Sequence, residues 1–183
     1  MLNECLIAAD IEFLISELNT KFKPELNLNF RFKLIETDSI KPSTRFLNID
    51  RYKFAQQLSK SYQNIPKFYP VWLPLNKDEY KLVAPPVVEE RAEGNIVCDG
   101  MHRVYNCRMS GIEKIWVLCV DNSPLPLAGD LLEWKDVKII EYQSNLHNNF
   151  INFNPRGYTG YSKFFNSQIM IKSKSEVLNY GKH

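Results

Sequence analysis

One short segment holds residues whose types and spacing suit chemistry on a phosphate group. This box, Asp99–Arg103 (Asp-Gly-Met-His-Arg), stands where a predicted strand gives way to a short helix. Gly100 permits a tight turn with close backbone approach, and the first N–H groups of a helix carry partial positive charge. Arg103 adds a guanidinium, and His102 adds a donor or a proton shuttle near neutral pH. The pattern predicts a phosphate site at which Asp99 holds a magnesium ion or orients a substrate hydroxyl.

The same residues also fit a purely structural interpretation. In that case Asp99 caps the helix, Gly100 turns the chain, and His102 and Arg103 face solvent. A glycine with a nearby arginine at a helix start is common, so the spacing alone leaves both interpretations open.

Apolar periodicity along the rest of the chain predicts the elements that would position the box. Helices are predicted over 2–19, 50–62 and 101–110, and strands over 28–34, 71–73, 80–83, 87–88, 96–98, 115–120 and 137–142. The prolines beside 71–73 indicate a short or edge strand, and 36–49 is predicted to be a loop. Asp50 is expected to cap the second helix, with Phe54 on its inner face. Glu89–Glu93 is expected to be a solvent-exposed hairpin tip.

Composition narrows the class of protein. The chain has 183 residues with 44% hydrophobic and 24% charged side chains, which is typical of a globular protein and unlike a disordered one. A net charge of +2 argues against a protein whose main task is coating nucleic acid. The four cysteines show no CxxC spacing, and the three histidines form no zinc pattern. With no signal-peptide pattern and no long apolar run, we expect a reduced, cytoplasmic protein without a membrane segment.

The box and its surroundings resemble the signature of the ParB/sulfiredoxin-like superfamily. The resemblance rests on 95–103 (Asn-Ile-Val-Cys-Asp-Gly-Met-His-Arg), a short helix, Ser-Gly-Ile at 110–112 and an apolar strand. Upstream, 39–42 (Ser-Ile-Lys-Pro), Arg45 and the helix that carries Ser61 are similar to the first loop and first helix of the family. The resemblance covers about 32–121. It implies a mixed α/β fold with a small mixed sheet and nucleotide phosphates bound at the box.

Three branches of the superfamily differ in function. Sulfiredoxins carry their catalytic cysteine where this chain has Met101, which argues against sulfinic-acid reduction. Partition ParB proteins bind CTP and carry a helix-turn-helix domain, which the sequence after Pro126 does not resemble. Small free-serine kinases have a box similar to Asp99–Arg103, but their catalytic glutamate falls in a loop that here reads Lys-Pro-Ser-Thr-Arg, 41–45.

The resemblance and the residue chemistry together predict a set of site residues. Those expected to hold phosphates are Gly100, Met101, His102 and Arg103, completed from the opposite wall by Lys41, Arg45 and Ser61. Those expected to be catalytic are Asp99, His102, Glu36 and Asp38, with Asp99 also the metal ligand and Glu36 or Asp38 the base. Solvated loop charges and an ordinary helix-surface hydroxyl are the competing interpretation of Lys41, Arg45 and Ser61.

Two function classes follow. The first is an enzyme that binds ATP or ADP with magnesium and phosphorylates a small hydroxyl-bearing metabolite, free serine being the analogue in the family. The second is a non-catalytic module that binds CTP or ATP and regulates a protein or DNA partner. A two-metal nuclease ranks third, because the sequence shows no carboxylate cluster. The charge balance argues against nucleic acid as a main partner, and assembly into a homo-oligomer is compatible with the sequence.

The sequence suggests three parts. These are an N-terminal helical extension at 1–30, a nucleotide-binding domain at 31–125 and a C-terminal extension at 126–183 packed on the same domain. In the last part, 153–161 (Phe-Asn-Pro-Arg-Gly-Tyr-Thr-Gly-Tyr) suits a mobile flap over a ligand or, preferably, a tail that packs its aromatic rings on the domain.

Overall fold

The computed structural model describes residues 6–62, 65–121, 123–141, 145–167 and 170–180. The strands are β1 (Ile7–Ala8), β2 (Asn29–Glu36), β3 (Ile40–Lys41), β4 (Phe46–Asn48), β5 (Val71–Pro74), β6 (Glu79–Val83), β7 (Val87–Arg91), β8 (Gly94–Asp99), β9 (Lys114–Asp121), β10 (Lys138–Ile140) and β11 (Ile171–Ser173). The helices are α1 (Ile11–Lys21), α2 (Ile49–Ser61), α3 (Met101–Met109), α4 (Leu146–Asn149), α5 (Tyr161–Phe165) and α6 (Lys174–Tyr180).

The central sheet is small and mixed, as predicted. It has five strands in the order β2-β9-β7-β8-β3. β2 pairs with β9 and β7 with β8 in antiparallel fashion, whereas β7 runs parallel to β9 and β3 parallel to β8. The mixed α/β fold class expected from the sequence is therefore confirmed.

A second sheet packs beside the central one. Its order is β1-β5-β6-β11, and its three pairings are antiparallel. The strand predicted over 71–73 is short, as expected, but it is not an edge strand, because β1 pairs with it on one side and β6 on the other. Its two prolines stand at or just outside its ends, where a missing N–H costs little.

Strand β9 is covered on both faces, as its nearly continuous apolar sequence predicts. Ile115 and Val117 face one hydrophobic core, which also includes Leu58 of α2 and Val104 of α3. The opposite face of β9 packs against a second core. That core is filled by α1, α5 and α6 through Leu14, Leu18, Tyr161, Phe165 and Val177. Residues before 31 and after 125 therefore share a core with the central sheet, while the three-part division itself stays a prediction.

Two helix starts differ from the sequence prediction. α1 begins at Ile11, capped by the Asp10 carboxylate, because the residues before it pair with β5 as β1. The cap of α2 is Asn48, whose Oδ1 accepts from the Asp50 and Arg51 amides at 3.1 Å. Part of the predicted loop 36–49 is strand β4, which pairs with β10 and ends at this cap. That pairing brings together residues about ninety positions apart, which local periodicity does not reveal.

The exposed hairpin tip predicted at Glu89–Glu93 is wrong for most of its length. The turn itself occupies only 92–93, and Glu89 lies on β7 with 2% of its surface exposed. Its carboxylate accepts from the Arg91 guanidinium and, at 3.1 Å, from the Tyr161 hydroxyl. The charge run therefore includes a buried ion pair that connects the central sheet to α5.

The segment 153–161 packs on the domain, which agrees with the preferred interpretation of its sequence. Tyr161 is buried and stacks on Phe22 of the N-terminal region with ring centroids 5.0 Å apart. Phe153 packs against Phe150 with ring centroids 5.2 Å apart.

None of the helices in the described ranges has the length and hydropathy that crossing a bilayer requires. Cys98, Cys107 and Cys119 are free thiols, and Cys5 lies outside the described residues.

Candidate functional site

The β8–α3 junction is built around Gly100. This residue has φ +83°, a left-handed conformation that glycine adopts without steric cost. A Cβ on Gly100 would stand 2.7 Å from Arg103 Nη2 and 2.9 Å from Pro86 Cα. The turn therefore needs glycine both for its backbone angle and for the close approach of its neighbours.

Arg103 connects the β8–α3 junction to the end of β6. One guanidinium nitrogen donates to the Ala84 carbonyl, just after β6, and Nη2 donates to Asp99 Oδ2 at 3.2 Å. Both side chains are largely buried. Burial raises the pKa of the Asp99 carboxyl above its usual value, and the Arg103 charge opposes that rise. The pair holds the junction together and adds a cation at the start of α3.

His102 has a fixed, neutral imidazole. Its Nε2 accepts from the Asn48 N–H at 3.0 Å, which places its proton on Nδ1. Burial, helped by the charges of Arg51 and Arg103, lowers the pKa of His102 to about 4. A neutral ring whose Nε2 is bound does not favour the proton shuttle expected from the sequence, but its Nδ1–H can still act as a donor, and the role of His102 stays a prediction.

We expect His102 to make stability depend on pH. Between pH 6.5 and about 4 the unfolded chain binds a proton on this ring that the folded protein does not bind. Above pH 6.5 this ring should therefore not lower the free energy of unfolding. As the pH drops to 4, the free energy of unfolding should fall by about 2–3 kcal/mol. Urea unfolding of wild type and His102→Gln across this range measures the effect. Parallel pH profiles for the two proteins would refute it.

A cleft of about 290 Å³ opens beside the junction. Its walls come from α2, β6, the junction and α5. The cations that line it are Arg51, Arg103 and Lys81, and its apolar floor includes Leu58, Leu73 and Leu82. Arg51 is exposed and forms no salt bridge with any described residue. Phe54, expected on the inner face of α2, is 46% exposed and faces this cleft instead.

Comparison with known families identifies the domain around this cleft. The family model of the ParB CE domain matches residues 25–122, more than half of the chain. The chain belongs to the ParB CE domain family. The match includes β2 to β9 and the whole Asp99–Arg103 box. Searches of curated proteins and of solved structures found no match.

The structure of this ParB CE domain brings four predicted residues together at the cleft. Asp99, Gly100, His102 and Arg103 all line it. Met101 belongs to the same turn, but its side chain packs into the first hydrophobic core, so only its backbone can serve a ligand.

Three residues predicted to complete the phosphate contacts have other partners and do not line the cleft. Lys41 Nζ donates to the Glu93 carbonyl at 2.9 Å, at the opposite end of β8. Arg45 Nε donates to the Asn148 carbonyl at 2.8 Å, which connects it to α4. Ser61 Oγ donates to the Gln57 carbonyl at the last turn of α2. The competing interpretation, ordinary surface groups, agrees better with these contacts.

The two carboxylates predicted as a base lie at the other end of α3. Asp38 pairs with Arg108 in the last turn of that helix, and Glu36 pairs with Lys114 at 3.0 Å. A nine-residue helix is about 13 Å long, so both acids are remote from the helix start. Of the described residues that line the cleft, Asp99 is the one carboxylate.

The described residues do not assemble a metal centre. No three His, Cys, Asp or Glu side chains among them are close enough to share an ion. An oxygen of Asp99 is already bound to Arg103. A magnesium ion would therefore need most of its ligands from water and from a phosphate, and the predicted metal role of Asp99 stays a prediction.

Four cleft residues were not predictable from sequence motifs: Arg51, Phe54, Lys81 and Asn166. No motif marks them, since they come from α2, β6 and the residue after α5. One sequence feature could have indicated Arg51. Asn48 fits the N-cap pattern, and a cap there places Arg51 in the first turn of α2.

Proposed function

We propose that this ParB CE domain binds a nucleotide in the cleft, with the phosphates at the start of α3. The proposal rests on one feature of the structure: the cationic end and the apolar floor line the same cleft. At the cationic end, the N–H groups of Met101 and His102 precede the first backbone hydrogen bond of α3, which Arg103 N–H donates to the Gly100 carbonyl at 2.9 Å. Such N–H groups at a helix start favour an anion. Arg51 adds an exposed guanidinium with no carboxylate of the described residues bound to it.

The remainder of the cleft suits the nucleoside. Its volume of about 290 Å³ is close to the lower end of ligand pockets, roughly 300–1,000 Å³. The apolar floor and the exposed ring of Phe54 offer surfaces on which a base can be buried or stacked. The resemblance described above suggests ATP, ADP or CTP as the first nucleotides to test, with magnesium carried by their phosphates.

A regulatory module fits this cleft better than an enzyme does. Its lining carboxylate, Asp99, is paired with Arg103, and the predicted bases Glu36 and Asp38 are elsewhere. The ligand would then change how the domain contacts a protein or DNA partner.

A small-molecule phosphotransferase is the second candidate, because of Asp99. The raised pKa of this carboxyl makes it a better proton acceptor than an ordinary aspartate, and it faces the cleft. Phosphoryl transfer depends mostly on positioning and charge neutralisation. Asp99 would take the proton of the acceptor hydroxyl as the oxygen attacks the terminal phosphorus. The bond from that phosphorus to the bridging oxygen breaks, and the nucleotide leaves one phosphate shorter.

We expect Arg51→Ala to weaken nucleotide binding roughly tenfold, because one charge-assisted phosphate contact is lost. The matched control is Lys53→Ala, an exposed cation on the same helix that does not line the cleft. Titration calorimetry with ATP, ADP and CTP plus magnesium measures both. Arg51 is a cleaner probe than Arg103, whose removal would leave Asp99 buried without its partner. Equal affinities for the two variants would contradict the phosphate site.

The two candidate functions differ in turnover. Incubation with each nucleotide and a pool of amino acids, followed by phosphorus NMR, detects any new phosphomonoester. Binding without a new signal supports the regulatory module, and a new signal that Asp99→Asn abolishes supports the transferase. Failure to bind any nucleotide or inorganic tripolyphosphate would refute both.

A further inference from the structure

The cleft has a wall that lies outside the region matched by the family. This wall is α5 and the residue after it, and Phe165 and Asn166 from it line the cleft. Lys81 Nζ donates to Asn166 Oδ1 at 2.5 Å, which connects β6 to this wall. Tyr161 and Phe165 are buried in the second core, so the wall is firmly attached rather than a loose flap.

The hydrogen bonds of Asn166 fix which groups remain free. Lys81 can only donate, so the atom that faces it must be the amide oxygen. Asn166 Nδ2 also donates to the Ser162 carbonyl at 2.8 Å. One N–H of Asn166 and two of Lys81 are then left over. The pair therefore presents neighbouring donors to a ligand.

The pair stands at a suitable distance from the phosphate end. Arg103 donates to the carbonyl of Ala84, the residue directly after β6. Lys81 lies in β6, three residues before Ala84. At about 3.3 Å a residue, the two positions are about 10 Å apart along the chain. A nucleotide with its phosphates at α3 can therefore extend its base along the apolar floor toward Lys81 and Asn166.

We propose that Lys81 and Asn166 select the base of the nucleotide, favouring one that presents two neighbouring acceptors. Guanine offers O6 and N7, the edge that lysine recognises in nucleic acids, and cytosine offers O2 and N3. Adenine places its N6 amino donor beside N7, so a donor would face a donor. In uracil an N–H separates the two carbonyl oxygens. This inference rests on the proposed nucleotide function and adds the specificity of the same cleft.

The test is calorimetry on the full chain with GTP, CTP, ATP, UTP and inorganic tripolyphosphate. GTP or CTP should bind at least about tenfold tighter than ATP and UTP, and comparing the first two identifies the base. Lys81→Met should abolish this preference and leave the affinity for tripolyphosphate largely unchanged. The control is Lys163→Met, an exposed lysine on α5 outside the cleft, which should keep the preference.

Asn166→Asp provides a second variant of nearly unchanged shape. Its carboxylate exchanges the free amide donor for an acceptor, so ATP should gain affinity relative to GTP and CTP. Equal binding of the four nucleotides, or a preference that survives both Lys81→Met and Asn166→Asp, would overturn base selection while tripolyphosphate binding still supported the phosphate site. If none of the five compounds bound, the proposed function would fail and base selection with it.

Discussion

Replacing Arg91 with methionine is expected to destabilise the folded protein by about 3–5 kcal/mol, the usual cost of removing one partner of a buried ion pair. Arg91 is 12% exposed in its side chain and donates to Glu89 Oε2 through Nε at 2.7 Å. It also donates to the Leu125 carbonyl at 2.8 Å. Without it, the Glu89 carboxylate is left in the interior without its ion-pair partner, although the Tyr161 hydroxyl still donates to it.

Arg31→Met is the matched control for this change. Arg31 also pairs with a glutamate on β7 and with Asp121 on β9, but its side chain is 49% exposed. Exposed ion pairs contribute about 0–1 kcal/mol, so we expect a small loss. Urea unfolding at neutral pH compares the two variants. The double variant Glu89→Gln with Arg91→Met should recover much of the loss, since no unpaired charge remains buried. Similar small losses for both arginine variants would show that the Glu89 pair is not a buried one.

Gly100→Ala is expected to have the second large effect, on stability and on ligand binding together. An alanine at φ +83° is strained by about 1–2 kcal/mol. Its Cβ would also meet Arg103 Nη2 at 2.7 Å and the Pro86 backbone at 2.9 Å. Relieving that overlap adds about 1–3 kcal/mol and displaces the Arg103 guanidinium from the cleft. Tripolyphosphate binding should weaken as a result.

Gly111→Ala separates backbone strain from overlap. Gly111 has φ +65°, yet no atom lies within 4 Å of a Cβ built there. It should lose only the strain energy and keep its ligand affinity. Urea unfolding and calorimetry of both variants measure the difference. If Gly111→Ala lost as much stability and affinity as Gly100→Ala, the close approach at the junction would be irrelevant.

Gly100 and Glu89 support opposite sides of the same cleft. Gly100 shapes the end that faces the phosphates, whereas Glu89 holds Tyr161 and through it the α5 wall. Loss of the Arg91 contact should therefore also loosen the wall that carries Asn166. In Arg91→Met, the preference among bases should then weaken more than the affinity for tripolyphosphate does.

The sequence by itself determined the local features of this protein. The strand–glycine–helix order of the box and the apolar strand β9 were predictable, because periodicity and backbone freedom depend on neighbouring residues. The mixed α/β class followed from the predicted helices and strands along the chain, and the resemblance to ParB-like domains rested mainly on the box and the apolar strand after it. Four of the predicted site residues, Asp99, Gly100, His102 and Arg103, do line one cleft.

Only the tertiary structure decided which other residues meet the box. Strand order and helix packing brought Arg51, Lys81 and Asn166 to the cleft and left Glu36 and Asp38 at the far end of α3. Burial was also decided at this level, since the same charge run that suggested an exposed turn contains an interior glutamate. The physical reason is that convergence and desolvation come from contacts between distant segments, which residue spacing along the chain does not encode.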